Sequence, residues 1–409
     1  MKPSLCQLVS ETLKQQEEAG FAQGTISLSR RVFNRLLAMA ESLGCNDFND
    51  DLASAFVADT VSVKTGRYCH TRYRLHNVAI ARLKAIQNCG RINWLHNRYI
   101  FPNREMPNSP EYQNLLENYL DHLREDEKHD NTIDSYRNVA VKFLIFCENK
   151  SIRNINEVAP GIIPLFFSGL SATWSATSMR TSTSALRSFL RFIDARDSII
   201  RAVPLRCPRK TEILPSLTDS QTGLIWAHLR SIIIEPRDSA IVMLILVTGL
   251  RPVDVINLKL EDIKWKDSII QIIQQKTGNI LTLPLAPAVG NSIMEYICNK
   301  RPNVSYRNVF LNLTAPFAPL SGHGNVYAII KKTLAVSGME TEARCCGGRF
   351  LRHNTATGLL RAGVNLADIS ACLGHAWQQS TDVYLSTDDA MMRQCVLDLP
   401  PMMEAGCGK

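Results

Sequence analysis

Residues 349–375 read RFLRHNTATGLLRAGVNLADISACLGH, and the chain runs on to residue 385 as AWQQSTDVYL. The stretch opens on Arg349, Arg352 and His353 at the start of a helix-forming segment and closes on Leu373-Gly374-His375, with Tyr384 nine residues further on. Each group alone is unremarked chemistry: an arginine on a helix face is usually solvated, and a lone Tyr in such a run is usually core. Working outward, two upstream pieces add to it. VTGLRPVDVINLKLEDI (247–263) puts Arg251 at a glycine-marked helix boundary with Asp254 three residues on, a spacing that commonly makes a surface ion pair. SIIQIIQQ (268–275) and NILTLPL (279–285) are β-branched runs joined through Lys276-Thr277-Gly278-Asn279, so a strand hairpin with Lys276 at its tip is expected.

Before this region the chain reads as helix. Apolar residues recur at helical spacing over Arg31 to Leu43, Arg72 to Gln87, Glu111 to Leu123, Ile133 to Glu148 and Ser178 to Ile193, and an apolar helix over Ser239 to Thr248 ends at Gly249. Two proline-bearing connectors, Asn103 to Pro110 and Val203 to Pro215, cannot continue a helix and mark boundaries. They divide the chain into 1–107, 108–205 and 206–390, with a tail at 391–409. The first two blocks resemble each other at an offset of about 107: TISLSRRVFNRLLAMAE (25–41) lines up with TIDSYRNVAVKFLIFCE (132–148), and RYRLHNVAIARLKAI (72–86) with MRTSTSALRSFLRFI (179–193). A degenerate repeat explains this, and so does the shared apolar phase of any two amphipathic helices.

The 409 residues, 45% hydrophobic and 21% charged, suit a folded chain of two to three domains and argue against disorder. The longest apolar run, Ala240 to Val247, falls short of a bilayer span, and Glu11 interrupts the N-terminus before a secretory h-region could form. A cytoplasmic protein is the expectation. Twelve scattered cysteines without a C-x-x-C pair read mostly as buried thiols, and Cys345-Cys346 has no second pair to complete a metal site. The net charge is +8 and uneven. Residues 1–107 carry 14 Lys+Arg against 9 Asp+Glu, 108–205 carry 11 against 12, and 206–409 carry 21 against 17. Basic excess at both ends is compatible with a polyanion partner, since each cation on a phosphate releases condensed counterions.

The separated pieces, taken in order, resemble the catalytic domain of the tyrosine recombinase (phage integrase) family: T-G-L-R with a carboxylate three residues on, a hairpin lysine, H-x-L-R-H-x-x-A-T-x-L, and L-G-H followed at nine residues by Tyr. The likeness spans about 216–390, and 108–200 resembles the family's helical core-binding domain. It implies a mainly α fold with a small β-hairpin or sheet, in which helical N-terminal DNA-binding domains precede an α+β catalytic domain. It also implies a site-specific recombinase that cleaves and rejoins DNA through a 3′-phosphotyrosyl link, in integration or excision of a mobile element. Carried over by position, Arg251 and Arg352 clamp the phosphate, Lys276 is the hairpin lysine, His375 the histidine of L-G-H and Tyr384 the nucleophile. Arg349 stands where the family has His, and Asp254 replaces a frequent Glu. The partners implied are double-stranded DNA, further copies of the chain assembled as a tetramer on two sites, and an accessory DNA-bending protein. The tail after residue 390 would dock on a neighbour or pack in cis.

No cofactor or metal is expected, and no membrane. Candidate DNA contacts are Arg30, Arg31, Arg35, Arg72, Arg74, Arg82 and Lys84 in the first block, and Arg137, Arg180 and Arg187 in the second. Two alternatives share much of this sequence logic: a DNA-binding regulator that has lost catalysis, and a type IB topoisomerase that relaxes DNA.

Overall fold

The computed structural model describes residues 3–45, 47–62, 65–94, 105–172, 174–204, 216–320, 322–336 and 347–374. The linker at 205–215, Cys345-Cys346, His375, Tyr384 and the tail at 391–409 lie outside the described residues. The chain divides into two compact units, one made of Met1–Tyr99 with Ile213–Lys409, the other of Ile100–Glu212.

In the first unit, residues 3–94 fold as four helices, α1 (Leu5–Glu18), α2 (Gln23–Ser42), α3 (Asp50–Ala58) and α4 (His70–Cys89). Ser4 caps α1 through a reciprocal box with Gln7, and Asn49 caps α3, so the helix starts follow from side chains that satisfy orphan amides. Their apolar stripes meet in a core of their own around Leu8, Phe33, Leu36, Phe56 and Leu83. The second unit holds α5 (Pro110–Glu125), α6 (Asp130–Asn149), α7 (Ile162–Ser171), α8 (Ala176–Phe192) and α9 (Asp197–Ala202). Its core is aromatic: Phe143 meets Phe166 edge-on at 5.1 Å, and Tyr119 meets Phe189 in the same way.

The remainder of the first unit carries α10 (Asp219–Leu229), α11 (Pro236–Thr248), α12 (Pro252–Asn257), strands β1 (Ile263–Lys264), β2 (Ile269–Ile273) and β3 (Ile280–Pro284), then α13 (Pro287–Asn299), α14 (His323–Val336), α15 (Gly348–Arg361) and α16 (Leu366–Leu373). The strands form an antiparallel sheet in the order β1-β2-β3, with Ile269 opposite Pro284 and Ile273 opposite Ile280. α11 is buried on nearly all sides, as its uninterrupted apolar run requires, and α13 and α15 pack against it. The architecture is mainly helical with one small sheet, as the residue pattern predicts. No helix among the described residues is long and apolar enough to cross a membrane.

The cysteine expectation is corrected. Of the seven described cysteines only Cys147 is buried, whereas Cys6, Cys89 and Cys298 are exposed. Their helices take their phase from Leu and Ile, which leaves these three thiols on the solvent side.

Candidate active site

Two helix ends and one hairpin build the site. α11 stops at Gly249, whose left-handed backbone (φ +64) turns the chain sharply and delivers Arg251 to the N-cap of α12. α16 stops in the same way at Gly374 (φ +62). Helix ends of this kind leave carbonyls without an intrahelical donor. Arg352, on the buried face of α15, answers both: Nη1 donates to Gly249 O and Nη2 to Leu373 O, each at 2.7 Å. Arg251 Nη2 donates to Gly374 O at 3.5 Å. The two arginines of separate motifs, 101 positions apart in the chain, are thus gathered on one turn, Leu373-Gly374, immediately before His375.

A glycine is required at both turns. A side chain at Gly249 would meet Leu373 Cδ2 at 2.7 Å, and one at Gly374 would occupy the space of the Gln274 carboxamide. The hairpin is tied in through its base. Buried Gln274 donates from Nε2 to Leu373 O at 3.3 Å and accepts from Thr277 at 2.9 Å, while the Gln275 amide donates to Asp254 Oδ1 at 3.0 Å. Lys276 stands exposed at the tip beside these anchored residues.

Asp254 has no exposed side-chain surface and lies 4.0 Å from Arg251 through Oδ2 and Nη1. Burial raises its acid range above the ordinary carboxylate value, opposed by the Gln275 amide and by Arg251 and Arg352. Neither Asp254 Oδ2 nor Arg251 Nη1 has a hydrogen-bond partner among the described residues. The carboxylate therefore does more than the surface ion pair its spacing suggests: it joins the hairpin to the Arg251 helix.

Arg349 is exposed in the first turn of α15, with Arg352 and His353 on the buried side. No group of three or more His, Cys, Asp or Glu side chains able to hold a metal occurs among the described residues. Sequence reasoning did not find Gln274. The doubled glutamine before Lys276 is its only mark, and its partner Leu373 is 99 positions away.

The candidate DNA contacts separate into two groups. Arg72 pairs with Asp59, Lys84 with Asp50 at 2.6 Å, and Arg30 reaches Glu17 at 3.9 Å. Arg82 lies over the rings of Phe21 and Trp94, Arg137 meets Met106, and Arg187 donates to the carbonyls of Val203 and Pro204. Arg35 is half-buried, its Nε reaching Arg31 O. Burial, with Arg72 next, lowers its pKa. Arg31, Arg74 and Arg180 are exposed.

The chain is similar to known integrases and recombinases. The phage integrase family profile matches residues 215–391, and that of the phage integrase N-terminal SAM-like domain matches 116–197. A protein of Sinorhizobium fredii (strain NBRC 101917 / NGR234) named as an integrase/recombinase, y4gC, is 34% identical over 164 residues, 40% of this chain and 83% of that one. A second from the same organism, y4rA, is 28% identical over 275 residues, and the match spans just 66% of its length and of this chain. Tyrosine recombinase XerA of Pyrococcus horikoshii is 26% identical over 283 residues, 69% of this chain and 92% of that one. Among solved structures, XerH site-specific recombinase bound to palindromic difH substrate superposes with a TM-score of 0.56 at 16% identity, covering 72% of this chain and 90% of that one. A lambda integrase dimer bound to a COC′ core site gives 0.52 at 18%, covering 84% and 94%. The fold is that of a site-specific recombinase. The chain belongs to the phage integrase family of tyrosine recombinases.

Proposed function

We propose that this chain is a site-specific DNA recombinase that breaks and rejoins duplex DNA through a 3′-phosphotyrosyl link, acting in integration or excision of a mobile element. The observation that carries this reading is the convergence of Arg251 and Arg352 on the Leu373-Gly374 turn, with the Lys276 hairpin tied to the same turn through Gln274. Two planar guanidiniums suit the nonbridging oxygens of a scissile phosphate, whose negative charge grows as phosphorus becomes five-coordinate. The Arg251 side chain stays 18% exposed beside this turn, so part of its guanidinium is open to such an oxygen.

In this reading Tyr384 loses its phenolic proton to water as Oη attacks phosphorus, the bond to the 5′ oxygen breaks, and Lys276 gives that oxygen its proton. His375 hydrogen-bonds a nonbridging oxygen or assists proton transfer. Arg349, exposed at the start of α15, adds a third cation where the family has His. The phosphodiester energy stays in the tyrosyl link, so attack by a 5′ hydroxyl of another strand reseals DNA without ATP. Double-stranded DNA is the substrate, with four protomers on two sites, the tail after residue 390 linking neighbours and a DNA-bending protein assisting.

The test is a nicked duplex drawn from inverted repeats flanking the element, which traps the covalent intermediate. Wild type should give a denaturation-resistant protein–DNA adduct that Tyr384→Phe abolishes. Arg251→Ala should slow its formation by about 10²–10³-fold, the usual loss on removing one transition-state donor. Binding without an adduct would favour a regulator, and relaxation of supercoiled DNA at no particular site would favour a topoisomerase.

A further inference from the structure

Residues 3–94 lie outside both family profiles, which begin at 116. We infer that they form a second copy of the helical module at 105–192, and that its α2–α4 face binds the backbone of duplex DNA. This rests on the reading of the chain as a DNA recombinase.

The structural match goes beyond the similarity of two amphipathic helices. α2 and α6 are both 20 residues long, and both of their ends are displaced by 107 positions. Every buried position of α2 falls on a buried position of α6: Val32, Leu36 and Ala40 land on Val139, Phe143 and Cys147, for example. α1 and α5 end 107 positions apart, and Leu5, Val9 and Thr12 land on Tyr112, Leu116 and Tyr119, all buried. α4 and α8 start 106 positions apart. In that register Ala79, Ile80 and Leu83 land on Ala185, Leu186 and Phe189. The sequence alignment at 107 is therefore one residue out in this helix, because it would set Ile80 against the half-buried Arg187. Amphipathicity fixes the phase within one helix. It does not fix the lengths of the connections between helices, so a near-constant offset across three of them points to one ancestral unit used twice.

The corrected register also aligns the outer faces. Arg74 now falls on Arg180, both exposed, and Arg30 falls on Arg137. The first copy is the more cationic: residues 1–107 carry 14 basic against 9 acidic side chains, where 108–205 carry 11 against 12. Three acids of the module pair with cations of these two helices, Asp50 with Lys84, Asp59 with Arg72 and Glu17 with Arg30. That leaves Arg31 on α2 and Arg74 on α4 as exposed guanidiniums without an ion-pair partner among the described residues. Arg74 and Arg82, with the hydroxyl-bearing Thr25 and Ser29, line an open groove of about 310 Å³ between the two helices, whose other lining residues, such as Val32 and Phe33, are apolar. Guanidiniums and hydroxyls along a helix pair are the donors that phosphate oxygens take. The excess of positive charge chooses DNA over a second copy of this chain.

The test uses the full chain, a mixed-sequence duplex and the salt dependence of binding. Arg31→Gln/Arg74→Gln should lower the slope of log affinity against log salt by roughly two, about 0.9 for each phosphate no longer neutralised, and weaken binding about tenfold or more at low salt. Arg31→Lys/Arg74→Lys should restore the slope, which separates missing charge from a damaged fold. If the Gln variant binds with wild-type slope and affinity, the inference is overturned while the recombinase reading stands. An unchanged slope with altered oligomeric state would overturn it too, giving the face to a protein partner. If the wild type binds no duplex, both fall.

Discussion

At the residue scale the decisive group is Arg352. A guanidinium carries five donors in a rigid fork, and here two of them close the open carbonyl ends of α11 and α16. The side chain is thus a structural clamp between two helix ends and a candidate phosphate ligand at once. Its motif is legible in RFLRH, but the carbonyls it meets belong to residues 103 and 21 positions away and could not be read there. The same holds for Gly374. It is legible as the glycine of Leu373-Gly374-His375, while the carboxamide of Gln274 in the space of its missing side chain is not. Gly374→Ala should therefore cost more than the roughly 1–2 kcal/mol of a left-handed alanine, because Gln274 must also leave its hydrogen bond to Leu373. Chemical denaturation of the variant checks the energy. A parallel fall in covalent adduct formation, with DNA affinity retained, checks the link to the site.

At the element scale the β2–β3 hairpin is held by Asp254, a side chain of α12. The strands were legible because Ile269–Ile273 and Ile280–Pro284 are β-branched runs around a Gly-Asn turn, each with alternate residues buried. β1 was not legible, since two residues carry no period and Ile263 pairs only because Ile270 is presented to it. Helix α2 begins at Gln23, eight residues before its expected start at Arg31, because its first turns are polar and show no apolar stripe. The anchoring of the hairpin gives a pH prediction. Burial raises the Asp254 acid range, so the folded state prefers the protonated carboxyl. That preference stabilises the fold below about pH 4 and is lost as pH rises through the raised native value. Asp254→Asn cannot titrate, and it keeps an oxygen for the Gln275 amide. The stability of wild type relative to Asp254→Asn should fall as pH rises across that window and then level off. Hydrogen exchange of the β2 and β3 amides over a pH series measures it, and a rise instead would mean that pairing with Arg251 outweighs burial.

On the scale of the whole molecule, the chain invests in separate hydrophobic cores. One surrounds Phe33 and Leu36 in residues 3–94, one surrounds Phe143 in the second unit, and one surrounds α11. The number of helices was not legible in the sequence, since short ones such as α3, α7 and α9 offer too few turns for a period to show. Separate cores need not melt together, so a single melting temperature would describe this chain poorly. Phe143 is fully buried between Phe166 and Phe189, and Phe143→Ala should remove about 3–5 kcal/mol from the second unit alone. Hydrogen exchange would show amides of α6 and α8 losing protection while those of α11 and α15 keep theirs. Loss of protection in all of them together would mean that the units unfold as one. If the second unit opens alone, the arginine clamp at Leu373-Gly374, which lies wholly in the first unit, stays assembled.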